Sequence, residues 1–162
     1  MKLKAVIVAA LFFAISVPVL SAPNAKTSFE SLKTLAGQWD AKDPSGKQQT
    51  ITWKVVSAGS VLMESMQEES MVTMYHVDSN RLMLTHYCAA QNQPRMAAKV
   101  SDDGKTFTFD FIDGTNIVSP GDGHMRKLVL TIQDKDHFTE QWFFAQKGKD
   151  DDHGVFQLTR KQ

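Results

Sequence analysis

Along most of the chain, apolar and polar residues alternate with the two-residue period of a strand that buries one face. From Gln38 onward we count about ten short runs rich in Val, Ile, Thr, Phe, Tyr and Trp, over 38–42, 48–57, 60–67, 70–78, 81–89, 95–101, 105–112, 126–133, 137–146 and 153–160. Turn chemistry separates them, in "DPSGK", "SAGS", "VDSNR", "SDDGK", "QDKD" and "KGKDDDHG", and the longest irregular stretch is "GTNIVSPGDGHMR". No helical pattern interrupts the runs, so the strands are expected to be antiparallel and to meander from neighbour to neighbour. An open sheet of ten strands leaves two exposed edges, and closure removes them. The fold expected is an all-β, about ten-stranded antiparallel up-and-down barrel, with a two-sheet sandwich as the alternative.

One segment breaks the period. "NAKTSFESLKTLAG" predicts a short N-terminal helix with Phe29, Leu32 and Leu35 on one face. Thr27 is the expected N-cap, Glu30 completes a capping box, and Gly37 closes the last turn.

Ahead of it, "MKLKAVIVAALFFAISVPVLSA" has Lys2 and Lys4, an apolar run from Ala5 to Leu20, and small residues at Ser21 and Ala22. That is the three-part pattern of a secretory signal peptide. The run is shorter than the ~20 apolar residues of a spanning helix and carries Pro18. The expectation is a leader over 1–22, a single domain over 23–162, and a periplasmic or secreted protein with no stable membrane anchor. Without Lys2 and Lys4 the domain has 16 basic and 18 acidic residues, a net charge of −2. Nothing in that balance suggests nucleic acid. Cys88 is the only cysteine, so an exported chain has no internal disulfide, and the thiol is buried and inert, joined to another chain, or functional.

Alternation also tells which side chains share a face. If "SAGS" turns at Ala58–Gly59, Trp53 stands opposite Glu64. A turn at Glu68–Glu69 then sets Glu64 opposite Thr73, and one at Ser79–Asn80 sets Thr73 opposite His86. The inner face is the one with Ile51, Trp53 and Val55, and it continues through Leu62, Glu64, Met66, Met71, Thr73, Tyr75, Val77, Leu82, Leu84, His86 and Cys88. An apolar wall with a few polar groups is the composition of a ligand cavity. The candidate ligand-binding residues are therefore Trp53, Glu64, Thr73, Tyr75, His86 and Cys88. His76 and His86 fall on opposite faces and cannot share a metal, and Cys88 with His86 is too small a ligand set for zinc. Two places apart on a strand, Cys88 and His86 are also too distant to act as a nucleophile and its base. No catalytic residue, metal ligand or cofactor is assigned.

In "LAGQWDA", Gly37-Gln38-Trp39 follows a short helix and opens the first strand, and the last run, "VFQLTRK", carries Arg160. This resembles the G-x-W signature of the calycin barrels, the group of lipocalins, fatty-acid-binding proteins and nitrobindin-like proteins, in which a basic residue of the last strand packs over the tryptophan. The resemblance implies a barrel that binds a small apolar molecule, and it makes Trp39 and Arg160 residues of the fold. Nitrobindin-like members bind haem through a histidine near the C-terminal end; here the last run has only His153, at its beginning.

Three functions fit these residues. One is an exported binding protein for a small, mostly apolar molecule whose polar group is oriented by Glu64, Tyr75 and His86. A second is a small barrel enzyme using His86 and Glu64 as acid and base. The third is a structural or interaction module whose core is full.

Overall fold

The computed structural model describes residues 23–42, 45–66, 71–119, 121–147 and 152–162; the expected leader, the turn at Glu68–Glu69 and the His153 side chain lie outside the described residues. A helix, α1 (Ala25–Lys33), precedes ten strands: β1 (Gly37–Lys42), β2 (Gln48–Val56), β3 (Val61–Met66), β4 (Met71–Asp78), β5 (Arg81–Tyr87), β6 (Gln93–Val100), β7 (Thr106–Thr115), β8 (His124–Ile132), β9 (His137–Ala145) and β10 (Asp152–Arg160). Every strand pairs antiparallel with its sequence neighbours, and β1 pairs with β10, so the sheet closes into a barrel. The barrel has no free edge, and the sandwich alternative is set aside.

The inferred pairing holds from β2 to β5. Trp53 is opposite Glu64, Glu64 opposite Thr73, and Thr73 opposite His86. Ile51, Trp53, Leu62, Glu64, Met66, Thr73, Tyr75, Leu82, Leu84 and His86 are all buried, as inward residues must be. Val55 departs from the expectation, being 37 % exposed where β2 runs out toward the Ser57–Gly59 turn. Cys88 also departs from it. β5 ends at Tyr87, and Cys88 stands in the following turn, half-buried, with its backbone N–H donated to Asn92 O.

Two details of the N-terminal segment differ from the sequence reading. The N-cap is Asn24, whose side-chain oxygen accepts from the Thr27 backbone N–H, and the Thr27 hydroxyl turns back to Asn24 O. The helix therefore begins three residues earlier than a Thr27 cap allows. It ends at Lys33 with Thr34 as C-cap, so Gly37 closes no turn. Gly37 is already the first residue of β1, at φ +140°, and a Cβ there would lie 2.9 Å from Arg160 Nη1. Any other residue would be strained at that φ and would push the guanidinium aside.

That arginine seals the end of the barrel against which α1 packs, hereafter the lower end. Its guanidinium lies 4.1 Å from the Trp39 ring centroid, and it donates to Thr34 O, Ala36 O and Lys135 O. Trp39 donates its indole N–H to Leu35 O at 2.8 Å. Above it, aromatic rings fill the interior edge to face: Trp39 on Phe138 at 4.6 Å, Phe138 on Trp53 at 5.6 Å, and Tyr75 on Phe109 at 5.6 Å. Such contacts suit the ring quadrupoles and leave the lower half packed. A recess of about 490 Å³ opens beside α1, lined by Pro23, Asn24, Ser28, Leu82, Ala98 and Val100 among others.

Candidate functional site: a buried polar layer inside the barrel

Above the aromatic floor the interior becomes polar. The line Trp53–Glu64–Thr73–His86 runs across four adjacent strands, and each member points inward because its strand alternates in step with its neighbours. Tyr75, the next inward residue on β4, stacks on Trp53 with centroids 5.1 Å apart and donates its hydroxyl to Glu64 Oε2 at 2.8 Å. From the far wall β9 contributes Glu140 and Trp142, which share the inward face with Phe138. The Trp142 indole N–H reaches Glu140 Oε2 at 3.3 Å, and the Trp142 ring lies 4.7 Å from that of His86. The carboxyls of Glu64 and Glu140 come within hydrogen-bonding reach of each other across the lumen.

Two carboxyls in a dry interior cannot both stay ionised. Burial is the main cause at each: it pushes Glu64 up to about 7, and burial together with the Glu64 charge holds Glu140 well above the carboxylate range. Hydrogen bonds from Tyr75, Glu140 and Thr73 favour the ionised form of Glu64 and oppose its rise. At neutral pH the pair thus holds at least one proton. Burial, reinforced by the two carboxyls, raises the Tyr75 phenol well above its usual value. Burial alone lowers His86 to about 4, so its ring is neutral.

His86 Nδ1 lies 3.0 Å from Thr73 Oγ1. With the Thr73 hydroxyl donating to Glu64, it accepts from Nδ1–H, and Nε2 is left as an acceptor; this tautomer is assigned from the network. Glu64 and His86 therefore communicate through Thr73 and do not touch, and a histidine held near 4 is a weak base at neutral pH.

Several of these atoms have no hydrogen-bond partner among the described residues: Gln49 Nε2 and Oε1, Trp53 Nε1, Glu64 Oε1, His86 Nε2 and Glu140 Oε1. Buried polar groups are ordinarily satisfied, each omission costing about 1–3 kcal/mol. Among the described residues six of the eight such atoms belong to inward-facing strand residues; the other two are Ser28 Oγ on α1 and Asn92 Oδ1 in the turn after β5. Met66 is buried in the same half, and Met71, Met125 and Phe156 pack against the core while remaining partly exposed. Among the described residues no three His, Cys, Asp or Glu side chains group as a metal site.

Of the sequence candidates, the structure brings together Trp53, Glu64, Thr73, Tyr75 and His86. Cys88 sits apart, beyond the end of β5. Sequence reasoning missed Gln49, Glu140 and Trp142. The signal was present, since Phe138, Glu140 and Trp142 alternate with Thr139 and Gln141, and Gln49 shares the period of Ile51 and Trp53.

No family model matches the chain, and no curated protein does. The structure is similar to that of Rv2717c from M. tuberculosis, with 15% sequence identity, coverage of 83% of this chain and 98% of that one, and a TM-score of 0.51. It is also similar to a redesigned β-barrel (12% identity, 80% and 93% coverage, TM-score 0.35). A third match is EF1p2_mFAP2b bound to DFHBI (11% identity, 83% and 99% coverage, TM-score 0.40). At these identities the likeness concerns the fold alone: the chain is a closed ten-stranded antiparallel barrel with counterparts among solved structures.

Proposed function

We propose that this chain is an exported calycin-like barrel that binds a small, mostly apolar molecule with one polar group. The polar group meets Gln49, Trp53, Glu64, His86 and Glu140, and the apolar body lies toward Met66, Met71, Met125 and Phe156. One observation carries the reading: six buried polar atoms on five inward residues lack a partner among the described residues. A ligand that satisfies them recovers their desolvation cost on binding. Trp39 under Arg160 after a Gly37 start supports the calycin assignment, and the pattern of residues 1–22 supports export.

A second reading has its own observation. The aromatic packing of Trp39, Trp53, Tyr75, Phe109 and Phe138 favours an interaction module with a full interior. Tryptophan fluorescence separates the two, because Trp53 and Trp142 border the polar layer. Titration with a panel of small apolar molecules of differing head groups is expected to give a saturable emission change with at least one. A flat response to every probe, with no shift in melting temperature, would reject binding in favour of the module.

A further inference from the structure

The polar layer has a sign. Its charged side chains are Glu64 and Glu140, and no Lys or Arg is among the buried residues described. Besides the contacts of Glu64 with Thr73 and with Glu140, Tyr75 donates to Glu64 Oε2 and Trp142 to Glu140 Oε2, while neither Oε1 meets a donor side chain among the described residues. His86 Nε2 adds a third acceptor. The two donors without partners, Trp53 Nε1 and Gln49 Nε2, are neutral. Around the carboxyls stand the rings of Trp53, Tyr75 and Trp142, whose π faces attract cations.

We propose that the head group taken by this site is a protonated amine or amidine on an apolar body, held between Glu64 and Glu140, and that ligands ending in a carboxylate are excluded. The inference rests on the binding function above and names its ligand class. A cation set between the two carboxyls supplies donors to both Oε1 atoms and the charge that lets both ionise. A carboxylate would add a third acid to a dry site, offset only by neutral donors. The groups in the row of the pair or in contact with it are Trp53 on β2, Thr73 and Tyr75 on β4, His86 on β5 and Trp142 on β9, and Gln49 is buried four residues further along β2. None of them is cationic at neutral pH, and the pair holds a proton in the empty barrel. Binding of an ammonium therefore expels a proton to solvent.

The test is calorimetric titration of the full chain, matured by export, with decylamine, decanol and decanoate at pH 7, each kept below its micelle concentration. Decylamine is expected to bind at least about tenfold tighter than decanol, as suits a desolvated charge pair, and decanoate weakest of all. In buffers of different ionisation enthalpy, only decylamine should release protons. Glu64→Gln/Glu140→Gln, which keeps side-chain volume, should bring decylamine to the decanol level and abolish the release. Decanoate binding as tightly as decylamine, or a variant that retains the amine preference, would overturn the inference and leave ligand binding standing. Failure of all three probes to bind would overturn both.

Discussion

Replacing both interior acids by their amides, Glu64→Gln/Glu140→Gln, should change how stability depends on pH by an amount the structure sets. In the unfolded chain a glutamate titrates near 4.5, whereas the folded barrel holds Glu64 up at about 7. Between those values the folded protein keeps a proton that the unfolded chain gives up. Stability is therefore full below pH 4.5 and is lost as pH rises toward 7, at a limiting slope of about 1.4 kcal/mol per unit. Integrated over the window the loss from Glu64 is roughly 3 kcal/mol; Glu140, raised further, keeps its own proton through the same window, brings the loss to roughly 6 kcal/mol and extends it to higher pH. His86 works in the opposite direction. Its folded value near 4 lies below the ordinary 6.5, so its contribution is full above pH 6.5 and lost as pH falls toward 4. The histidine slope offsets only part of the combined slope of the two acids between about pH 4.5 and 6.5, so the unaltered protein still loses stability there as pH rises. The double variant removes the acid slope and uncovers the histidine slope. Urea unfolding followed by tryptophan emission at pH 4.5 through 7.5 measures this; with a slope near 2 kcal/mol per molar, the gap in midpoints should widen by about 3 M across the range. Surface carboxylates such as Asp113 beside Arg95 are common to both proteins and cancel in the difference. Parallel profiles would refute the reasoning, because they would mean that the acids meet water in the folded state.

Other expectations follow from particular contacts. Arg160→Ala removes three hydrogen bonds to carbonyls and the contact over Trp39, and should lower stability by about 2–3 kcal/mol in urea unfolding, with Lys restoring little because it lacks the planar fork. Gly37→Ala strains a residue at φ +140° and sets a Cβ 2.9 Å from Arg160 Nη1; a loss of about 1–3 kcal/mol is expected, smaller when Arg160→Ala is already present. Phe138→Ala empties the aromatic floor and should cost about 3–5 kcal/mol, read as a fall in melting temperature. Thr73→Val keeps the shape but removes the partner of His86 Nδ1, at a cost of about 1–3 kcal/mol.

The fold was legible because each local signal agreed with the next. The run boundaries fall within a few residues of the observed strands, and alternation alone places Trp53, Glu64, Thr73 and His86 in one row. The pairing survives the unspecified turn at Glu68–Glu69 because any even loop keeps the same face inward. The contact of Arg160 with Trp39 was expected from the G-x-W resemblance and is present. What alternation could not give was distance across the lumen. Glu140 belongs to a strand four pairings away from β3 through β2, β1 and β10, so only closure of the barrel brings it to Glu64. The helix start was misjudged because Asn24 and Thr27 are both good caps, and the earlier one takes the end. Gly37 was misjudged because its constraint comes from a side chain 123 positions away.

Whether the polar layer holds a molecule decides most directly between binding and a full interior. The decisive measurement is the native mass of the chain purified from an exporting host, beside its denatured mass, repeated for Glu64→Gln/Glu140→Gln. A bound molecule gives an excess mass that is lost on denaturation and reduced in the variant. Native and denatured masses that coincide, before and after incubation with decylamine, would contradict binding.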